Sequence, residues 1–259
     1  MSPAVVRWVR GVGAMARRSI TVMFSKPSLF LPSLIFPLFF FAAFAGGLSA
    51  VDQAPNFNYP SYTTFQYIFV LMQSAIFGGV FTGFAIAADF EFGFARRMML
   101  ATRNRSSLIA GYALTALARA LLVWAVVTVV AVATGAQMSG SVGDLLEILV
   151  IAILLNFAAT LFASGMAMRF RTLQAAPLIQ LPAFLIIMTA PVYVPRDLIQ
   201  GWVASVADVN PMTAVLEAGR NLIIGAPAET LLALGVAAGL IAVTINWART
   251  GLRRAEAAG

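Results

Sequence analysis

The sequence predicts an all-α integral membrane protein with six transmembrane helices, and three observations lead to this fold class. Hydrophobic residues make up 61% of the 259 residues, whereas charged residues make up only 10%. Six apolar stretches are each long enough to cross a hydrocarbon layer of about 30 Å. Basic residues are concentrated in alternate connections between these stretches, an asymmetry typical of membrane proteins. The whole chain, residues 1–259, is therefore predicted to be a single transmembrane domain.

An amphipathic helix is the first predicted element and lies within residues 1–27. Arg7, Arg10, Arg17 and Arg18 fall within about 100° of helical arc, and apolar side chains occupy the opposite side. Such a helix is expected to lie in the cytoplasmic interface of the membrane. A signal peptide is the alternative, but the apolar run that follows has about 24 residues, against the usual 7–15 or so.

Six membrane spans are predicted within residues 28–248. Their limits are 28–51, 65–88, 108–134, 145–168, 177–194 and 230–248. The fifth span is short and bounded by prolines. After it, two apolar pieces are too short to cross the bilayer, and Asn210-Pro211 and Gly225-Ala226-Pro227 interrupt them. We expect a pair of re-entrant or interfacial helices there, with protein or water covering the broken backbone.

The basic residues are distributed asymmetrically along the chain. Apart from Arg196 and Arg220, they lie before the first span, after the second, fourth or sixth span, or near the adjoining end of the third. This distribution places both termini in the cytoplasm and makes residues 249–259 a cytoplasmic tail. It also explains the net charge of +7 without nucleic acid as a partner, because the cations border an anionic lipid leaflet.

The composition excludes several kinds of chemistry within this chain. Cysteine and histidine are absent, which excludes thiolate nucleophiles, histidine bases and the common zinc sites. The single lysine, Lys26, is followed by Pro27, so a phosphate-binding loop of the GxxxxGK[ST] type cannot form. We predict no catalytic, cofactor or metal site here, and if the protein uses ATP, another subunit must bind it.

A charged segment, ADFEFGFARRMMLATRNR, follows the second predicted span. It falls in the first cytoplasmic connection and is longer than a simple link between two spans requires. Residues 89–100 have helical spacing, and a start at Asp89 and Glu91 with Arg96 and Arg97 later suits the helix dipole. The sequence predicts a short helix parallel to the membrane.

This short helix is expected to show its charges to the cytosol and its apolar side chains to the bilayer or a partner. The apolar side chains are Phe92, Phe94, Met98, Met99 and Leu100. Gly93 either allows a close backbone approach or simply weakens the helix. The alternative is a solvated loop whose arginines only anchor lipid headgroups.

The late segment DVNPMTAVLEAGRNLIIG contains a local helix start. Asn210 is the predicted N-cap and Pro211 the first helical residue of an N-P-x-T sequence that ends at Thr213. Glu217 and Arg220 are close enough for an i,i+3 ion pair. These residues have a sufficient structural explanation without a functional one.

Polar groups are scattered among the phenylalanines of the first two spans. Phe36, Phe40, Gln66 and Gln73 are candidates for an aromatic path that accepts a lipophilic substrate. Lipid contact and helix packing are the alternative.

Two G-x-x-x-G pairs and one arginine stand out within the spans. Gly79 with Gly83, and Gly235 with Gly239, allow close helix approach within or between subunits. Arg119 is expected to extend its side chain to the cytoplasmic interface, where its charge costs little.

The stretch DFEFGFARRMMLATRNRSSLIAGYALTALAR resembles the E-x-G-(T)-x-x-x-L-x-x-(T)-(P) motif of type-2 ABC exporter permeases. This family includes daunorubicin-resistance permeases and polysaccharide exporters. The N-P-x-T segment followed by Arg220 is similar to the family's second signature. Both motifs, the amphipathic start and the six spans occur in the family order. Phe94 stands where the family usually has threonine, and Arg103 where it often has proline.

The resemblance implies that helix 89–100 is a coupling helix seated in an ABC ATPase subunit, which binds ATP and Mg²⁺. It implies contacts through Asp89, Glu91, Gly93, Arg96 and Arg97, with the amphipathic helix as a second contact. It also implies two permease copies or related permeases, a substrate path between them, an external gate at the N-P-x-T segment, and export across the bacterial inner membrane. Hydrophobic drugs, lipids and lipid-linked glycans are the expected substrates, with drug efflux and antibiotic resistance as the associated function.

Two other function classes compete with this one. An ion- or proton-coupled secondary transporter is disfavoured because buried mid-span carboxylates and paired broken helices are not evident. A membrane-embedded lipid transferase is disfavoured because the connections lack histidine and clustered aspartates, which metal-dependent transfer would require.

Overall fold

The computed structural model describes residues 2–25, 27–55, 57–102 and 105–257. Within them, ten α-helices and three short 3-10 helices form. The α-helices are α1 (Pro3–Ser25), α2 (Pro27–Gly47), α3 (Tyr62–Glu91), α4 (Phe94–Ala101), α5 (Ser106–Ala133), α6 (Val142–Phe170), α7 (Ala176–Met188), α8 (Trp202–Val209), α9 (Pro211–Ile223) and α10 (Thr230–Ala257). The 3-10 helices are Ser49–Gln53, Leu173–Ala175 and Arg196–Leu198. The all-α prediction is confirmed, whereas Lys26 and Arg103 lie outside the described residues.

Five of these helices, α2, α3, α5, α6 and α10, are long and apolar enough to cross a membrane. The fifth predicted span, 177–194, is instead the 13-residue helix α7. At about 1.5 Å per residue, α7 is only about 20 Å long, which is less than the hydrocarbon thickness. The helix stops at Met188 because Pro191 follows closely and the chain turns at 189–190.

Helix α3 forms the centre of the bundle and is buried along most of its length. It runs parallel to α6 at very close range. A Cβ atom built on Gly79 would lie 2.5 Å from the amide nitrogen of Thr160, and one on Gly83 would lie 2.6 Å from the Cβ of Ala163. The first G-x-x-x-G pair therefore mediates packing within the chain. Cβ atoms on Gly235 and Gly239 would meet nothing within 4 Å.

The predicted amphipathic helix is present as α1, with Arg7, Arg10 and Arg17 exposed. Its Met15 and Met23 are 2% and 1% exposed. These two side chains are buried against protein, whereas Val5 and Val9 on the predicted apolar side are 43% and 47% exposed. The expected position of α1 in the membrane interface stays a prediction.

Helix α1 lies alongside the first half of α5. Trp8 Nε1 donates to Ser106 Oγ at 3.1 Å, and a Cβ on Gly111 would lie 2.6 Å from the Cβ of Met15. The absence of a side chain at Gly111 lets the methionine of α1 approach α5 closely.

The prediction for Arg119 is wrong, because α1 covers its side of α5. Arg119 is 4% exposed, and its Nε lies 3.4 Å from the sulfur of Met23. Its Nη1 has no hydrogen-bond partner among the described residues. The guanidinium is therefore enclosed between two helices and does not extend to an interface.

Candidate functional site

The charged segment after α3 is divided differently from the prediction. Helix α3 continues to Glu91, so Asp89 and Glu91 lie in its last turn and do not begin a separate helix. Gly93 adopts φ 77° and ψ 1°, and α4 begins at Phe94. Glycine adopts this left-handed conformation at no steric cost, and a Cβ at Gly93 would meet nothing within 4 Å. Gly93 therefore separates α3 from α4, and its predicted close approach to a partner stays a prediction. The carboxylates lie at the helix end that disfavours negative charge and therefore need specific partners.

Asp89 has three such hydrogen bonds. Arg18 donates from Nη1 to Oδ2 at 2.6 Å and from Nη2 to Oδ1 at 2.7 Å, and the Tyr112 hydroxyl donates to Oδ2 at 2.6 Å. Burial alone would lower the pKa of Arg18, but the hydrogen bonds and charge of Asp89 raise that pKa above its ordinary value. Two-pronged, charge-assisted contacts of this kind are strong and directional. Asp89 thus joins α1, α3 and α5.

The same arginine also contacts α4. The guanidinium carbon of Arg18 lies 3.6 Å from the centroid of the Phe94 ring, a cation–π geometry. Phe94 is the first residue of α4. Arg18 therefore holds the start of α4 and the end of α3 together, although the sequence pattern groups it with the exposed arginines of α1.

Glu91 connects α3 to the segment between α6 and α7. Its Oε2 accepts hydrogen bonds from the amide of Leu173 at 2.6 Å and from the hydroxyl of Thr172 at 3.2 Å. These residues begin the 3-10 helix Leu173–Ala175. Both carboxylates of the charged segment therefore have partners within the chain, although Glu91 remains exposed.

Helix α4 rests on an apolar seat. Ala95 and Met99 are 5% and 7% exposed. The seat combines side chains from five other helices, among them Met15, Phe90, Leu108, Met168 and Leu252. An isolated helix of eight residues is too short to be stable in water. Packing against this seat therefore stabilises α4.

The opposite side of α4 projects outward. Arg96 and Arg97 are exposed, and Phe92 and Leu100 are 75% and 78% exposed. We call these four residues the α4 outer face. The predicted apolar set is therefore split, because Met99 points inward, Phe94 and Met98 are half-buried, and only Phe92 and Leu100 are available to a partner.

The N-P-x-T segment lies at the other end of the bundle, which we call the α9 end. The end that carries the last turn of α3 and helix α4 is called the α4 end. Asn210 Oδ1 accepts from the amide of Met212 at 2.8 Å, and Pro211 begins α9, as predicted. Asn210 Nδ2 also donates to the carbonyl of Ile186 at 2.7 Å, and Thr213 Oγ1 donates to that of Ala207 at 2.6 Å. The segment fixes α9 to the ends of α7 and α8.

Arg220 is 0% exposed in the centre of the α9 end. Its Nη1 donates to the Pro191 carbonyl at 2.8 Å and to Glu217 Oε1 at 3.1 Å, which confirms the predicted i,i+3 pair. Its guanidinium carbon lies 3.5 Å from the centroid of the Phe65 ring. Nε and Nη2 have no partner among the described residues. The sequence pattern does not reveal the contact between Arg220 and Phe65, because the two residues are far apart in the chain.

Gln66 is hydrogen-bonded within the α9 end. Its Nε2 donates to the Tyr62 hydroxyl at 2.6 Å and to the Val192 carbonyl at 2.9 Å. The Tyr62 hydroxyl in turn donates to the Tyr193 carbonyl at 2.6 Å. These bonds attach the start of α3 to the connection that follows α7.

The other path candidates lie between α2 and α3. The rings of Phe36 and Phe40 are 4.9 Å apart, as are those of Phe36 and Phe77. Gln73 is 0% exposed, and neither end of its amide has a hydrogen-bond partner in the described ranges. The glutamines are fully enclosed in this conformation, so neither lines an open path.

A family model described as ABC-2 type transporter matches residues 10–224. This chain belongs to the ABC-2 transporter family. The match spans α1 to α9 and includes both the α4 outer face and the N-P-x-T segment. The protein is thus a permease component of an ABC transporter and a multi-pass membrane protein. A search of curated proteins gave no match.

Membership in this family implies an ABC ATPase as partner. In the permease, the residues from 225 onward, including all of α10, lie beyond the family match. The family match therefore does not cover α10, which contributes Leu252 to the apolar seat of α4.

Proposed function

We propose that this chain is the membrane subunit of an ATP-driven exporter that moves a hydrophobic or amphipathic substrate out of a bacterial cell. Drugs, lipids and lipid-linked glycans are the substrate classes that suit its apolar interior. ATP and Mg²⁺ bind to the partner ATPase. The observation that carries the proposal is the α4 outer face, a charged and apolar strip that projects from a seat built by five other helices.

Helix α4 acts as the coupling helix, and its outer face contacts the ATPase. Arg96 and Leu100 are four residues apart in α4 and therefore share one side of that helix, whereas Phe92 lies before Gly93, at the end of α3. This face fits a groove that offers acidic groups to the arginines and apolar surface to Leu100 and Phe92, because charge-assisted contacts supply direction and register. Arg97 adds a second positive charge.

Movement of α4 reaches the spans through the last turn of α3. Gly93 is the only residue between Phe92 and α4, so α4 cannot shift far without moving the end of α3. Asp89 then transmits the movement to α1 and α5, and Glu91 transmits it to the connection between α6 and α7. Asp89 and Glu91 thus transmit the movement through contacts within the permease. Arg96 and Arg97 instead contact the ATPase directly.

The proposed topology has six crossings, with α7 as a short fifth crossing and both termini in the cytoplasm. The distribution of basic residues supports this orientation. Helices α8 and α9 form the re-entrant pair, and the bond from Asn210 to Ile186 supports their position level with the end of α7. The pair would lie in the part of the membrane that α7 is too short to span. Helix α1 would lie at the cytoplasmic side of the inner membrane.

The substrate path runs between two permease copies, and the N-P-x-T segment closes its external side. Phe36, Phe40 and Gln73 face the path when the bundle opens. An unpaired buried amide is costly, so a polar group of the substrate, or water, would stabilise the open state by pairing with Gln73.

The proposal is tested by co-expressing the permease with its ATPase and measuring co-purification and permease-dependent ATP hydrolysis in proteoliposomes. Arg97→Glu should insert normally but lose binding and the permease-dependent change in hydrolysis. Arg249→Glu, an exposed arginine of α10, is the matched control and should behave as wild type. Normal coupling in Arg97→Glu, or transport by the permease alone driven by a proton gradient, would overturn the proposal.

A further inference from the structure

The last turns of α10 pack beneath α4. Leu252 lines the same apolar seat as Met99. A Cβ on Gly251 would lie 2.7 Å from the carbonyl oxygen of Gly165, so α10 and α6 are in backbone contact. The guanidinium carbon of Arg169 lies 3.5 Å from the Trp247 ring centroid. These contacts hold the end of α10 firmly against α6.

Arg105 connects this fixed end of α10 to the last turn of α4. Its Nη1 lies 3.1 Å from Glu256 Oε1, and its Nε donates to the carbonyl of Met99 at 3.3 Å. The last carbonyls of a helix have no partner within the helix. Arg105 satisfies one of them and is itself oriented by a carboxylate of α10.

Helix α4 is thus held at each end by an arginine that is itself paired with a carboxylate. Arg18, paired with Asp89, holds its first residue, and Arg105, paired with Glu256, holds its last turn. Clefts of about 590 Å³ and 390 Å³ lie beside α4. Because side chains do not fill these clefts, the position of α4 depends on its seat and on the two end contacts.

We propose that the end of α10 positions the coupling helix, with Glu256 acting through Arg105. This inference rests on the proposed coupling role of α4 and adds a helix that lies beyond the family match. The side chains of Arg105 and Glu256 are 37% and 32% exposed. A pair this exposed contributes little to folding, so its role is to set the position of α4 and not to stabilise the bundle.

The position of α4 is measured directly with spin labels, since the chain has no cysteine. Labels are attached to Leu100→Cys and Arg249→Cys in the full-length permease, and the distance between them is measured by pulsed electron resonance. Glu256→Ala should broaden the distance distribution, and Glu256→Gln, which keeps an acceptor, should broaden it less. Glu147→Ala, an exposed acidic residue of α6, is the control and should change nothing.

The functional consequence is measured in the reconstituted complex with the ATPase. Glu256→Ala should reduce the permease-dependent change in ATP hydrolysis by about two- to fivefold, the range expected for a partly exposed charge pair. Its thermal unfolding temperature should equal that of wild type. An unchanged distance distribution, or unchanged hydrolysis, would overturn the inference.

Failure of this inference is distinguishable from failure of the proposed function. If Arg97→Glu abolishes coupling while Glu256→Ala has no effect on distance or hydrolysis, only the role of α10 is wrong. If Arg97→Glu leaves coupling intact, the coupling role of α4 is wrong, and so is any functional consequence of its position.

Discussion

The two ends of α3 use arginine in opposite ways. At the α4 end, Arg18 is one-third exposed and forms a charge pair between separate helices. At the α9 end, Arg220 is fully enclosed, and its contacts are an aromatic ring, a backbone carbonyl and a carboxylate one turn away. Water can solvate the partly exposed Arg18 if its two-pronged contact with Asp89 opens, whereas a buried charge that loses its partner is strongly destabilising. The difference indicates an adjustable α4 end and a rigid α9 end.

The largest effect is expected from leaving the buried arginine of the α9 end without its counter-charge. Glu217→Met leaves the fully enclosed Arg220 without a carboxylate partner, so we expect a loss of about 3–5 kcal/mol in unfolding free energy. The measurement is thermal unfolding of the detergent-solubilised permease, followed by tryptophan fluorescence. Arg196→Met, which breaks the exposed pair with Asp208, is the matched control and should change little. Equal effects of the two variants would contradict a rigid α9 end.

A smaller effect is expected midway between the two ends. Gly79→Ala forces a Cβ atom against the backbone of Thr160, and such overpacking costs about 1–3 kcal/mol. The same unfolding measurement detects it. Gly235→Ala, in open space on α10, is expected to be neutral or slightly stabilising because alanine favours helix. Wild-type stability of Gly79→Ala would show that α3 and α6 are not in close contact there.

The smallest effect on stability is expected at the α4 end, where the effect on coupling should be greatest. Asp89→Asn removes the charge that pairs with Arg18 but keeps an acceptor, so we expect a loss of about 1–2 kcal/mol. Permease-dependent ATP hydrolysis should fall far more than stability does. Asp144→Asn, at a half-buried residue of the capping box that begins α6, is the control for a carboxylate without a coupling role. If permease-dependent ATP hydrolysis falls only in proportion to stability in both Asp89→Asn and Asp144→Asn, the proposed difference between the two ends is wrong.

The sequence predicts the local features of the structure well. The cap at Asn210, the proline that follows it and the pair of Glu217 with Arg220 depend on residues within one or two helical turns. The close packing at Gly79 and Gly83 is predictable in kind, although α6 as the partner is not. Five of the six predicted spans correspond to long apolar helices, because each needs only a long apolar run, whereas the fifth, with prolines at both ends, forms the 13-residue helix α7.

Features that depend on distant residues are not predictable in this way. The acidic pair at 89 and 91 looks like a helix start, but the continuation of α3 and the left-handed turn at Gly93 make it a helix end. Arg18 falls on the same arc as the exposed Arg17, and only the position of Asp89, 71 residues later, separates their roles. Arg119 is enclosed because α1 happens to cover it.

Cross-linking tests most directly whether the α4 outer face contacts the ATPase. Single cysteines are introduced by Leu100→Cys on α4 and Trp202→Cys on α8, at positions that are 78% and 73% exposed. A reagent that joins thiols to amines is then applied to the reconstituted complex with and without nucleotide. We expect Leu100→Cys to link to the ATPase with a nucleotide-dependent yield, and Trp202→Cys not to link to it. A link from Trp202→Cys alone, or labelling of Leu100→Cys by an impermeant reagent outside intact cells, would contradict it.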